Sequence, residues 1–196
     1  MSVTGHNLPG KERHVTDWYA TPPWCVESLY QNVSLPVPTL DPCAGDAAIL
    51  RTIDELLPDN NMTGIELVPE IRDSHEDPHP RVIVGDGLAV DWRGQHVLTN
   101  PPFKLAEDFV RKGIEEAETA VFLLRLGFMG SESRFPLWSE HPPDGICVLP
   151  NRPSFKHGTT DSAYYAWYVW LRGSQSPAPT LTWLPLVSRE RRQRRT

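Results

Sequence analysis

The run Asn100-Pro101-Pro102-Phe103 follows "HVLT", an apolar stretch that reads as a short buried strand, and precedes "LAEDFVRKGIEEAE", which reads as a helix. Neither proline can donate a backbone hydrogen bond, so the pair ends the strand. An amide, a rigid turn and an aromatic ring then stand at the tip of a strand, where an open α/β sheet keeps its ligands. Upstream, Asp41, Glu66 and Asp86 close three other apolar runs. After Asp41, the turn Pro42-Cys43-Ala44-Gly45 carries no large side chain, so a ligand can approach its backbone and the N-terminus of the following helix. The same turn can equally serve only to join a strand to a helix. Glu66 lies about 20 residues further on, the spacing at which a strand-end acid meets ribose hydroxyls. In "GDGL", Asp86 can accept from an adenine amino group while Leu88 packs on the ring. Each acid alone reads as a solvated strand end. Three in succession at strand-helix spacing, followed by Asn-Pro-Pro-Phe, point to a nucleoside-bearing ligand.

The elements that must hold these residues follow from periodicity. "TPPWCVESLYQNV" predicts a helix over Thr21–Val33, with Thr21 as cap, proline in the first turn and Val26, Leu29, Tyr30 and Val33 on one face. "VPTLDPCAGDAAILRTIDELLPD" reads as strand, tight turn and helix, and "MTGIELVPE", "RVIVGDGLAVDW" and "HVLTNPPF" as further strands. "TAVFLLRL" is apolar on both faces and therefore central. "GICVLPNRPSF" and "SAYYAWYVWLRG" have no helix between them and suggest an antiparallel hairpin, and "PTLTWLPLV" an edge strand. The reading is an α/β, Rossmann-like, mostly parallel sheet with helices on both faces and a C-terminal antiparallel hairpin. Two strand-helix units are expected between the Gly45 turn and Asn100. Gly127–Asp144 is the longest irregular stretch and is expected to be a substrate loop.

With 196 residues and 39% hydrophobic content the chain suits one domain. Residues 1–16 read as a flexible N-terminus, 17–187 as the domain and 188–196 as a basic tail. Cys25, Cys43 and Cys147 show no metal-ligand spacing, and an odd, sparse set suggests a reduced, cytoplasmic protein. The histidines His14, His75, His79, His96, His141 and His157 show no such spacing either, so no metal is expected. No apolar run approaches the roughly 18 residues of a membrane span. The tail has five arginines against one glutamate, a net +4, so the rest carries −10 of the −6 total. An acidic body is not the usual footprint of a duplex-binding domain. The tail is either a solvated end or a phosphate-binding arm.

In order, these motifs resemble those of the S-adenosylmethionine-dependent amino-methyltransferases, most closely the phage-type DNA N6-adenine methyltransferases. "NPPF" is similar to their catalytic motif, "DPCAG" to their cofactor loop, and "IEL" and "GDGL" to their second and third cofactor motifs. "DWYATPPW" resembles the segment that closes over the methionine end of the cofactor, and "NRPSF" with "TDSAYYAWYVW" the hairpin region of the phage enzymes. The resemblance implies S-adenosylmethionine bound by Thr21, Pro22, Asp41, Pro42, Cys43, Ala44, Gly45, Glu66, Leu67, Asp86, Gly87, Leu88 and Asn100. It implies catalysis by Asn100, Pro101, Pro102 and Phe103, a DNA partner, and a phage or bacterial host cell. Ala47 stands where the family often has glycine.

An exocyclic amine is a poor nucleophile because its lone pair is delocalised into the ring. The Asn100 side-chain oxygen and the Pro101 carbonyl can bind its hydrogens and stabilise the positive charge that develops on nitrogen. Phe103 can stack on the base. Arg125, Arg134 and Arg152 flank the later strand ends and suit either phosphate or solvent, with Arg134 and Arg152 taken as substrate contacts. Asp161 either braces the hairpin or touches substrate. Cytosine N4, adenine in RNA, protein glutamine and a non-catalytic nucleic-acid-binding module remain as alternatives. With little chain for a separate recognition domain, loose specificity is expected, read by Gly127–Asp144 and the hairpin around Arg152. Single-stranded DNA should serve at least as well as duplex, or a homodimer rather than a monomer should enlarge the footprint.

Overall fold

A computed structural model describes residues 19–74, 76–155, 162–174 and 176–193. Asp17, Asp161, His14, His75, His157 and the last three residues, on which parts of the sequence reading fall, lie outside them. The chain runs α1 (Pro23–Tyr30), β1 (Leu40–Asp41), α2 (Ala48–Leu56), β2 (Thr63–Glu66), α3 (Pro69–Arg72), β3 (Val82–Val84), β4 (His96–Thr99) and α4 (Ala106–Glu116). It continues with β5 (Thr119–Arg125), α5 (Phe135–Glu140), β6 (Gly145–Val148), β7 (Tyr165–Leu171), β8 (Thr180–Trp183) and α6 (Arg189–Gln193).

One eight-stranded sheet has the order β3-β2-β1-β4-β5-β7-β6-β8. The first five positions are mutually parallel. β7 enters antiparallel between β5 and β6, and β8 lies parallel to β6 at the edge. The Rossmann-like sheet, the central β5, the antiparallel C-terminal pair and the edge strand agree with the sequence reading. β5 is central for a simple reason. Val121 and Leu123 point to one face and Ala120, Phe122 and Leu124 to the other, and all five are buried. The first face is covered by α1 and α2, the second by α4 and α5. β1 has only two residues because Pro42 follows at once and cannot extend the ladder.

Three expectations are corrected. Thr21 does not cap α1: Pro22 occupies the cap position and no side chain closes it, so Thr21 is free to face the sheet. The interval between the Gly45 turn and Asn100 does not hold two full strand-helix units. α3 is a single turn, and residues 85–95 cross from β3 to β4 with no helix. Gly127–Asp144 is not an irregular loop. It contains two short 3₁₀ turns and α5, and Leu137 and Trp138 seat it on the sheet, Trp138 stacking on Trp170 at 6.1 Å. Its apolar positions are too few and too short-spaced to read as a helix, but they suffice to bury one face.

α1 is buried along almost its whole length and is pinned twice. The Trp167 indole donates to the Cys25 carbonyl at 3.0 Å. From α6, Arg191 reaches the Glu27 carboxylate at 2.7 Å, where the Glu27 side chain is only 10% exposed. The basic tail is thus partly built into the fold. Arg191→Met leaves Glu27 without its cation. Arg191 is half exposed and screened, so the expected loss is about 1–2 kcal/mol in chemical denaturation. Adding Glu27→Gln should recover most of it; no loss would mean that α6 is not docked in solution. On the far side, burial works to raise the Asp54 carboxyl, yet hydrogen bonds from Arg81, Asn60 and His79 and the Arg81 charge hold it at about 2. That cluster ties the end of α2 to the start of β3.

Candidate active site

At the C-terminal ends of β1 and β4 a cleft is lined by Tyr19, Thr21, Asp41, the loop Cys43–Asp46, Ala48 and Ile49, and Asn100 to Phe103. Its position follows from topology. β1 lies between β2 and β4, and the chain leaves the sheet in opposite directions on either side of it, the place where open α/β sheets bind ligands.

Asp41 is fully buried, and its Oδ1 accepts from the Thr99 hydroxyl at 2.6 Å and from Cys43 N–H at 3.0 Å. This joins the ends of β1 and β4 and sets the start of the loop. Gly45 has φ +59° and Ala47 φ +70°. The loop thereby turns its backbone towards the cleft at the start of α2. Ala47 is the one non-glycine residue with positive φ among those described. Left-handed backbone costs an L-residue about 1–2 kcal/mol. Ala47→Gly removes that strain but also a buried methyl, about 0.8 kcal/mol, and loosens the unfolded chain by about 0.4–1 kcal/mol. The opposing effects nearly cancel, so urea denaturation should show a change below about 1 kcal/mol. A larger loss would mean that the Ala47 methyl packs more tightly than its strain suggests.

Glu66 is fully buried, with Oε2 accepting from Gly45 N–H and Oε1 from Val68 N–H, both at 2.9 Å. It spans two strand-end turns and holds the Gly45 loop in shape. Asp86 is exposed and accepts from Leu88 N–H at 2.9 Å. Gly87 is required by close approach: a Cβ there would come within 2.0 Å of the Pro42 carbonyl oxygen. Its own carbonyl accepts from the Trp92 indole at 2.9 Å. The third strand end is so packed against the first.

Asn100 Nδ2 donates to Thr21 Oγ1 at 3.0 Å. This orients the amide and leaves Oδ1 as the acceptor that does not face Thr21. Pro101 is buried beside it. Phe103 is half-buried among rings, with Tyr19 at 5.4 Å and Tyr165 at 6.4 Å, and Phe155 lies 5.0 Å from Tyr165. The Arg125 guanidinium sits 4.0 Å from the Phe103 ring centroid, and its Nε donates to the Tyr165 hydroxyl at 2.9 Å. Tyr19, Ala20 and Thr21 line the cleft together with the Gly45 loop and Asn100 to Phe103.

The structure brings Thr21, Asp41, Cys43, Ala44, Gly45 and Asn100 to Phe103 into this one cleft. Pro22, Pro42, Glu66, Leu67, Asp86, Gly87 and Leu88 do not line it. Arg134 lies elsewhere, donating to the Phe128 carbonyl at 2.8 Å. Arg152 stands beside the Tyr164 ring at 5.7 Å. Sequence reasoning missed Tyr19 and Thr99 and gave Arg125 no partner. The available signal for Arg125 was a lone cation closing an otherwise apolar central strand. Among the described residues no cluster of His, Cys, Asp or Glu could hold a metal ion, and no helix is long and apolar enough to cross a membrane.

No protein-family model and no curated protein sequence matches this chain. Solved structures do resemble it. One is a proposed class I S-adenosylmethionine-dependent methyltransferase from Listeria monocytogenes, at 15% identity and TM-score 0.53, over 82% of this chain and 62% of that one. The M protein of the type I restriction enzyme EcoKI shares 15% identity at TM-score 0.61, over 90% of this chain and 51% of its own. The 23S rRNA methyltransferase ErmE shares 16% at TM-score 0.54, over 77% and 67%. The chain thus spans about half to two-thirds of these proteins. Strand order, the cleft at the ends of β1 and β4, and these likenesses together give the chain the Rossmann-like fold of the class I S-adenosylmethionine-dependent methyltransferases.

Proposed function

We propose that this chain transfers a methyl group from S-adenosylmethionine to an exocyclic amino nitrogen of a nucleobase, with N6 of adenine in DNA as the favoured target. The observation that carries the reading is the Asn100 amide, held by Thr21 at 3.0 Å at the tip of β4, beside buried Pro101 and facing the Gly45 loop. The cleft fits the cofactor in kind. Backbone at positive φ lies at the start of α2, buried Asp41 fixes the loop, and Thr21 sits opposite. Thr21, Asp41, Cys43, Ala44 and Gly45 would hold the amino-acid end. Pro22 and Pro42 would shape it, and Glu66, Leu67, Asp86, Gly87 and Leu88 would serve the nucleoside. Bound there, the cofactor supplies an electrophilic methyl group on a sulfonium.

The chain's own residues do the rest. Asn100 Oδ1 and the Pro101 carbonyl accept the amino hydrogens and draw the nitrogen towards a tetrahedral shape, which frees its lone pair for attack. Proline fixes φ and so keeps that carbonyl in place without reorganisation. Phe103 provides the stacking ring and Pro102 sets its approach. In transfer an N–C bond would replace the cofactor's S–C bond, and the surplus proton would pass to solvent from the nitrogen held by Asn100 and Pro101. Fixing the amine at these acceptors would remove part of the entropic barrier.

The fold of a 23S rRNA methyltransferase supports a nucleobase target and keeps RNA as a second reading, which the acidic body also favours. Incubation with methyl-labelled S-adenosylmethionine and separate arms of DNA, RNA, free nucleotides and protein tests the reading. Label on adenine N6 of DNA is expected. Label on RNA adenine, cytosine N4 or protein glutamine redirects it, and label nowhere points to a non-catalytic module.

A further inference from the structure

Beyond the cleft, rings and guanidinium groups follow one another along the upper rim of the sheet. Tyr19 lies 5.4 Å from Phe103. Arg125 lies 4.0 Å from Phe103 and 5.9 Å from Tyr165. One residue after Arg125, the Leu126 N–H donates to the Tyr164 carbonyl at 2.9 Å and fixes that residue beside it. Tyr164 is 53% exposed, and the exposed Arg152 stands 5.7 Å from its ring centroid.

An isolated exposed tyrosine needs no explanation. Tyr164 is not isolated. Because β-strand side chains alternate in direction, Tyr165 turns inward to bond Arg125 while Tyr164 turns out to the surface. Arg125 links Tyr165 to Phe103, while the outward Tyr164 stands beside Arg152. Arginine beside an exposed ring is the pairing that single nucleic-acid strands use. The ring offers a face to any base, and the cation meets the backbone or stacks in turn. On a chain of net charge −6, the Arg152 cation beside the Tyr164 ring and Arg125 on Phe103 also counter the repulsion a polyanion would otherwise meet.

We infer that Tyr164, with Arg152 beside its ring, forms a second base-stacking subsite. It holds the nucleotide next to the one that enters the Asn100–Phe103 cleft, and its ligand is a single nucleic-acid strand. The inference rests on the proposed nucleobase reading but is read out without catalysis. Stacking on a ring is sequence-tolerant, so the subsite adds affinity without adding a recognition sequence. A paired duplex keeps its bases in the stack and cannot use it.

The test is fluorescence anisotropy with labelled oligonucleotides of about 12 nucleotides. Single-stranded DNA, single-stranded RNA of the same sequence and duplex DNA are compared without cofactor. Tyr164→Ala should weaken binding of single strands by about 5- to 100-fold and leave duplex binding unchanged. Tyr164→Phe keeps the ring and should bind like the parent. Arg152→Gln should weaken binding and reduce the salt dependence by about one phosphate contact. The DNA and RNA arms show which strand the subsite prefers. Equal binding by parent and Tyr164→Ala, loss with Tyr164→Phe as well, or no single-strand binding by the parent overturns the subsite. If strands bind as expected but no arm of the labelled-methyl assay takes label, the subsite stands and the methyl-transfer reading falls.

Discussion

On the proposed reading, Asn100→Ala is expected to lower methyl transfer by at least about 10²–10³-fold, the cost of removing one preorganised polar partner from a developing charge. Cofactor affinity is expected to stay close to that of the parent. The distinction follows from where Asn100 acts. Its amide is anchored by Thr21 at 3.0 Å, so the loss falls on the amine in the transition state, lowering kcat more than it raises KM. Thr21→Val keeps the shape of the side chain but removes the hydroxyl that orients the amide. It should give a smaller loss in the same direction. Single-turnover transfer of labelled methyl, paired with calorimetry of cofactor binding, separates the two quantities. Near-normal turnover in Asn100→Ala removes the Asn-Pro-Pro-Phe turn from the chemistry.

Glu66→Ala is expected to act on the fold and the cofactor together. Both carboxylate oxygens accept backbone N–H groups, from Gly45 and Val68 at 2.9 Å, in a fully buried position. Truncation leaves both donors without their partner, at a cost of about 1–3 kcal/mol. The Gly45 loop then loses the shape that its positive φ values require, so cofactor binding should fall about tenfold or more, in line with that same energy. Glu66→Gln can accept from only one of the two donors and turns an amide N–H towards the other. It should recover little. Denaturation and calorimetry on the same preparations check this. Unchanged stability would show that Glu66 does not brace the loop, and unchanged cofactor affinity would remove it from the site.

Much of this was legible in the chain. β5 reads as central because it is apolar on both faces, and the strand-end acids read as a ligand edge because they recur at strand-helix spacing. Asn100 to Phe103 stand out because two prolines forbid any continuation of strand or helix. These are local properties, set by side-chain period and backbone donors within a few residues. What only the tertiary structure decided depends on neighbours distant in sequence. Thr21 reads as a helix cap by type, yet it meets Asn100 79 residues away. Glu66 reads as a strand-end acid facing a ligand, and only the folded sheet shows that its oxygens also brace two turns, one of them 21 residues back. Gly127–Asp144 lacks a helical period long enough to read, and folds because the Trp170 face offers Trp138 a surface to cover. Arg125 on Phe103 joins the ends of β5 and β4, a pairing that strand order alone creates. Sequence pattern reports what a residue can do; which of those things it does depends on partners that only the folded sheet supplies.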